Sequence, residues 1–191
     1  MEIKEIDTFY AASPADWRAW LAENHVSKQS IWLIYYNKKS NVPSLSWSEA
    51  VDEALCYGWI DSTRKTLDKD SSIQYFSKRK AKSTWSKVNK AKIIALTEAG
   101  LMTPMGLECI EIAKQNGSWT TLDSVEELLI PDDLEKTFST EAGLKDYFLS
   151  QSKTVRKGML HRLVMAKTEP TRQKRITEII DAYASAKSDK I

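Results

Sequence analysis

Cysteine and histidine are nearly absent from this chain, with two of each among 191 residues. Cys56 and Cys109 lie in no CxxC pattern, and only His25 and His161 are there to join them, which argues against a zinc site. Two thiols suffice for one disulfide, but buried free thiols are the commoner outcome. Glycine (6) and proline (5) are also scarce, leaving little room for flexible linkers. The stretch from Gly100 to Gly106 has neither GxGxxG spacing nor a lysine after its last glycine, so it is no nucleotide loop. Nowhere do about 18 apolar residues run together, so no membrane-spanning helix is expected. The opening Met-Glu-Ile-Lys-Glu-Ile-Asp has no basic leader and no apolar core, and the chain reads as cytoplasmic.

What is present suits a globular protein. A hydrophobic share of 42% and seven tryptophans can build a core without metal or disulfide support. Disorder is expected only at the end, from Ser185 onward. The net charge of +2 does not itself imply a nucleic-acid partner, but the charges come in blocks. Ser71 to Thr97 holds seven cations and no acid, Glu98 to Asp146 is strongly acidic, and Ser150 to Arg175 has Glu169 as its single acid. The two basic blocks, 78–92 and 153–175, can meet in space.

Local signals place the elements. Ser13-Pro14 is an N-cap and first turn for a helix over Pro14 to Asn24. Ser30 to Lys38, rich in Ile, Trp and Tyr, reads as a strand. Ser46 with Glu49 forms a capping box for a helix to about Tyr57, and Gly58 is placed to end it. Trp59 to Leu67 and Ser72 to Ser77 read as a strand pair. Ser83 or Thr84 caps the next helix, to about Ala99, and Thr103-Pro104 opens one to Gln115. After Trp119 the pattern is helical, over 124–129, 131–139, 141–150, 152–166 and 170–186. The expected fold is therefore α+β: an N-terminal antiparallel β-sheet with flanking helices, followed by an all-helical C-terminal part. The expected division is 1–119 for the α+β domain and 120–191 for a helical extension packed on it.

Three features carry chemistry. On the helix from Trp47 to Tyr57, Glu49, Asp52, Glu53 and Cys56 share one face, opposite an apolar stripe. Clustered carboxylates can hold a hard cation or act as acid and base, but a solvated face is the plainer explanation. Trp59 and Asp61 lie on one side of a strand, where an indole beside a carboxylate can orient a ligand. Equally, Trp59 can be core and Asp61 can be paired to Arg79 or a backbone amide. The third feature is Phe76 to Asn89, where Lys78, Arg79, Lys80 and Lys82 precede a helix start that favours negative charge. Trp85 on the first turn can stack on a ring, and Ser86 and Asn89 share one face; the competing picture is a basic loop with a core Trp85. His161 and the run Lys167 to Arg175 carry less weight. Cys56, near a helix C-terminus, is disfavoured as a nucleophile.

The block Ser44 to Asp61, Phe76 with Arg79-Lys80, and Ser83-x-Trp85-Ser86-x-x-Asn89 resemble the YdeI/OmpD-associated, or bacteriocin-protection, family. Gly100-Leu-Met-x-Pro-x-Gly106 and the run Ala166 to Arg172 with Arg175-Ile176 are similar to it too. Ser62 departs from the pattern, standing where the family has Gly. The resemblance implies an α+β, YjbR/CyaY-like domain and an association with bacteriocin or envelope stress. It implies no defined reaction.

The function expected from these readings is a cytoplasmic, stress-associated protein binding a small anionic ligand in an aromatic and cationic groove. Trp59, Asp61, Arg79, Lys80, Trp85, Ser86 and Asn89 line it, with Arg79 gripping phosphate or carboxylate and Trp85 stacking. No cofactor, no metal and no catalytic residue are assigned. One alternative is an unrecognised enzyme using Asp61 or Glu53 as base. Another is a non-specific nucleic-acid binder using blocks 78–92 and 153–175, for which binding must weaken steeply with salt.

Overall fold

The computed structural model describes residues 7–188. The opening segment read for a leader and the last three residues lie largely outside that range. Two compact units are present, one ending at Trp119 and one beginning at Thr120.

The N-terminal unit is a four-stranded sheet with helices. Its elements are β1 (Thr8–Tyr10), α1 (Pro14–Asn24), β2 (Ser30–Tyr36), α2 (Trp47–Cys56), β3 (Trp59–Thr66), β4 (Ser71–Lys78), α3 (Lys87–Glu98) and α4 (Pro104–Gln115). The strand order is β1-β2-β4-β3. β4 runs antiparallel to both neighbours, while β1 joins β2 in parallel. The sheet is therefore mixed, not wholly antiparallel. The reason is α1, since a helical crossover delivers the following strand in the same direction.

Capping chemistry sets the helices. Ser13 with Asp16 and Ser46 with Glu49 form complete capping boxes, and Pro14 fills the first turn of α1. The apolar stripe of α2 (Ala50, Val51, Ala54, Leu55) then packs with Trp17, Leu21, Ile31, Leu33 and Phe76 in one core. Trp17 satisfies its indole by donating to the Ala50 carbonyl at 3.0 Å. α3 starts later than the sequence suggests. Its cap is Ser86, whose Oγ accepts from the Asn89 amide at 3.2 Å, so Trp85 stands before the helix. Residues 80–83 are already held in a turn by the Ser83 amide donating to the Lys80 carbonyl, which delays the first helical turn.

α4 meets the end of α2 head to tail. The Cys56 carbonyl accepts from the Thr103 amide at 3.1 Å and from Thr103 Oγ1 at 2.6 Å. The N-terminal residues of one helix thus satisfy a C-terminal carbonyl of another.

The C-terminal unit contains α5 (Asp123–Glu126), α6 (Asp132–Thr140), α7 (Leu144–Ser150), α8 (Lys153–Val164) and α9 (Glu169–Ser188). α9 runs through Ser185 as ordered helix, contrary to the expected fraying there. Leu134, Phe138, Leu144, Phe148, Leu160, Leu163 and Ile176 form its core. Arg172 clamps Asp133 with two bonds, of 2.5 and 2.8 Å, and donates a third to the Leu163 carbonyl. The Arg172 bonds hold the Asp133 carboxyl below its ordinary range. Stability from that pair is present above the ordinary Asp pKa and is lost as pH falls through the lowered folded value. Asp133→Asn should therefore cost about 1 kcal/mol at neutral pH after solvent screening and flatten the acid limb below about pH 4. Urea unfolding across pH checks this, and an unchanged acid limb would mean the clamp adds nothing.

Candidate functional site

The candidate site grows from the end of β4. Arg79 extends the β3–β4 pairing by donating its amide to the Gly58 carbonyl at 2.9 Å, and the chain then turns toward α3. Its guanidinium lies over the Trp85 ring, 3.5 Å from the centroid, and Nη2 donates to the Thr84 carbonyl at 2.5 Å. Nε and Nη1 are buried and have no hydrogen-bond partner. Among the described residues no carboxylate pairs with this cation. Burial lowers its pKa to about 10, against which Cys109 and Asp61 exert a smaller opposing pull. A buried charge with unused donors is costly, so it points to an absent anionic partner.

Two cavities adjoin at Arg79 and Cys109. The smaller, about 120 Å³, is lined by Arg79, Lys80, Ala81, Trp85, Cys109 and Ile112. The larger, about 160 Å³, has Arg79 and Cys109 together with His25, Val26, Tyr57 and Met105 among its walls. Gly58 also borders it. There φ is +70°, and a Cβ would stand 2.6 Å from Cys109 Sγ, so this residue is fixed as glycine by conformation and by space. Burial pushes the Cys109 thiol up, partly offset by Arg79, and likewise raises Cys56; both cysteines are free. Neither is an activated thiolate.

Of the seven residues expected in one groove, the structure brings together Arg79, Lys80 and Trp85. Trp59 is fully buried, its ring edge-on to Trp20 at 5.8 Å. Asp61 shares its strand face but lies where Trp47 Nε1 and Gln74 Nε2 reach it, donating at 2.8 and 3.1 Å. Ser86 Oγ is spent on the cap of α3, and Asn89 contributes its backbone amide to that cap. The single hollow uniting positions 59, 79 and 85 is thus replaced by two small cavities beside Arg79. Trp59 belongs to the core because its strand face is the one covered by α1 and α2.

The acidic face of α2 is not an open cluster. Glu49 accepts from the Ser46 amide, Asp52 from Lys92 at 2.6 Å and Glu53 from Arg18 at 2.7 Å. Among the described residues no group of three or more His, Cys, Asp and Glu could hold a metal ion. Several cations of the basic blocks are also engaged within their own units. Lys78 donates to the Val26 carbonyl; Lys157, Arg162 and Arg172 pair with Glu126, Glu178 and Asp133. Such pairing leaves fewer cations for a phosphate backbone.

His25, Tyr57, Met105 and Cys109 were not singled out as site residues by the sequence reading. They come from separate elements with no shared spacing. The signal that marks their meeting is a glycine pair, Gly58 and Gly106, at close approaches.

Residues 9–109, more than half of the chain, match the family model described as a domain of unknown function, DUF8412. The chain belongs to the DUF8412 family. That match covers the Arg79 site apart from Ile112, and also the Ser44 to Asn89 stretch behind the YdeI/OmpD-associated resemblance. The model described as bacteriocin-protection, YdeI or OmpD-associated matches instead at residues 127–185, in the C-terminal unit. No curated protein and no solved structure matches this chain. No helix among the described residues is long and apolar enough to cross a membrane.

Proposed function

We propose that this protein is a binding module whose N-terminal unit takes up a small oxyanion at Arg79, with no reaction of its own. The observation that carries the proposal is the guanidinium with two buried, unpartnered donors and no carboxylate paired to it among the described residues. Trp85 fixes the cation's plane, and the neighbouring cavities give an anion access after a small rotation of the side chain. Lys80, exposed at the smaller cavity, adds attraction from the rim. Cytoplasmic residence, suited to two free cysteines, and a part in bacteriocin or stress protection, after the C-terminal match, belong to the same proposal. So does a YjbR/CyaY-like kinship, with which a four-stranded sheet and flanking helices agree. The carboxylates Asp61 and Glu53 are held by neighbours, which gives the enzyme alternative no support.

The test is a thermal-shift series with phosphate, sulfate and simple carboxylates at constant ionic strength. A saturable rise in melting temperature is expected, reaching about 2.7 kcal/mol of stabilisation at a hundredfold excess over Kd. No response to any of these anions would remove the proposal.

A further inference from the structure

The larger cavity beside Arg79 is apolar where the smaller is cationic. Val26, Met105 and the Tyr57 ring supply its walls, and the thiol of Cys109 lies between it and the smaller space. His25 adds a fixed ring: Nδ1 bonds the Leu21 carbonyl at 2.8 Å, and the imidazole stands 5.1 Å from Tyr57. A carbonyl can only accept, so Nδ1 carries a proton. Lys78, also at this cavity, already gives its ammonium to the Val26 carbonyl. Arg79 is therefore the cation whose donors are left to meet a guest.

We infer that the anion bound at Arg79 is a monocarboxylate with a ring-sized apolar body, which occupies the larger cavity. This rests on the anion-binding reading above. Size supports it, because a cavity of about 160 Å³ matches the roughly 150 Å³ hollow that accepts benzene in an apolar interior. Charge supports it as well. The guanidinium with buried, unpartnered donors takes one carboxylate in its planar fork, with Lys78 and Lys80 as further cations at the cavity edges. The absence of a Cβ at Gly58 keeps the space open, since an alanine there would drive against Cys109.

Benzoate, acetate and inorganic phosphate serve as probes, titrated calorimetrically into the full chain. Benzoate is expected to bind roughly tenfold or more tightly than acetate, from burial of the ring. Met105→Trp, at a position 38% exposed and so tolerant of bulk, should fill the chamber. It should erase the benzoate preference while leaving acetate binding unchanged; Val26→Phe, filling from a wall that belongs to the larger cavity and not to the smaller, should do the same. If acetate or phosphate binds as well as benzoate, or if both filling variants keep the preference, the apolar-body inference is overturned and the Arg79 reading stands. If none of the three probes binds, the Arg79 reading itself falls.

Discussion

Gly106→Ala should destabilise the N-terminal unit by about 3 kcal/mol, although alanine is the better helix former. In an exposed helix interior the exchange gains about 1 kcal/mol. Here a Cβ would stand 2.3 Å from the Cys56 oxygen and 2.8 Å from its carbonyl carbon. That carbonyl cannot swing aside, because the Thr103 amide and hydroxyl both hold it. α4 must instead lift from α2, weakening those bonds and the packing of Ile110 and Ala113. Two other glycines calibrate the result. Gly158, in α8, has ordinary φ and nothing within 4 Å of an added Cβ, so Gly158→Ala should stabilise. Gly100 also has open space but a φ of +67°, so Gly100→Ala should cost about 1 kcal/mol from conformation alone. Denaturant unfolding of the three variants should rank them 158, 100, 106 in falling stability. A Gly106 variant as stable as the Gly158 variant would show that the helices are not in contact there.

Arg79→Met should abolish the response to anions while leaving anion-free stability within about 2 kcal/mol of the parent. The near-neutrality comes from opposing terms. Burial that takes the guanidinium down to about 10 corresponds to about 3 kcal/mol against the charged form. Because the folded pKa is the lower one, that penalty stands in full below about pH 10 and is relieved only as pH rises toward the unfolded value. Methionine escapes it. In exchange it forfeits the stacking on Trp85, about 2 kcal/mol for a desolvated cation, and the charged bond to Thr84, about 1.5–3 kcal/mol. A methionine stem still fills most of the space over the indole, so no large void opens. The anion-dependent shift has no such compensation and should vanish. Persistence of the parent's shift in this variant would place the anion elsewhere.

Much of the fold was legible because its determinants are short-range. Ser13-Pro14, Ser46 with Glu49 and Thr103-Pro104 act within one helical turn, and each opens a helix where its chemistry demands. β1 was not legible: three residues carry no periodicity, and the strand exists because β2 offers it an edge. The start of α3 was placed too early because Ser83 and Thr84 are both competent caps; the bond between residues 80 and 83 holds that stretch in a turn and leaves the cap to Ser86. Arg79, Lys80 and Trp85 could be grouped because they lie within one loop. Strand alternation correctly set Trp59 and Asp61 on one face, but alternation does not say which stretch of a face a helix will cover. His25, Tyr57, Met105 and Cys109 meet through packing of distant elements, for which the chain offers no local pattern.

Met105 and Cys109 stand on the helix whose opening turn is bolted to Cys56, so the chamber wall and the interhelical joint are a single mechanical part. Slower deuterium exchange at the Thr103 amide in the presence of benzoate is accordingly the result expected of the proposed occupancy.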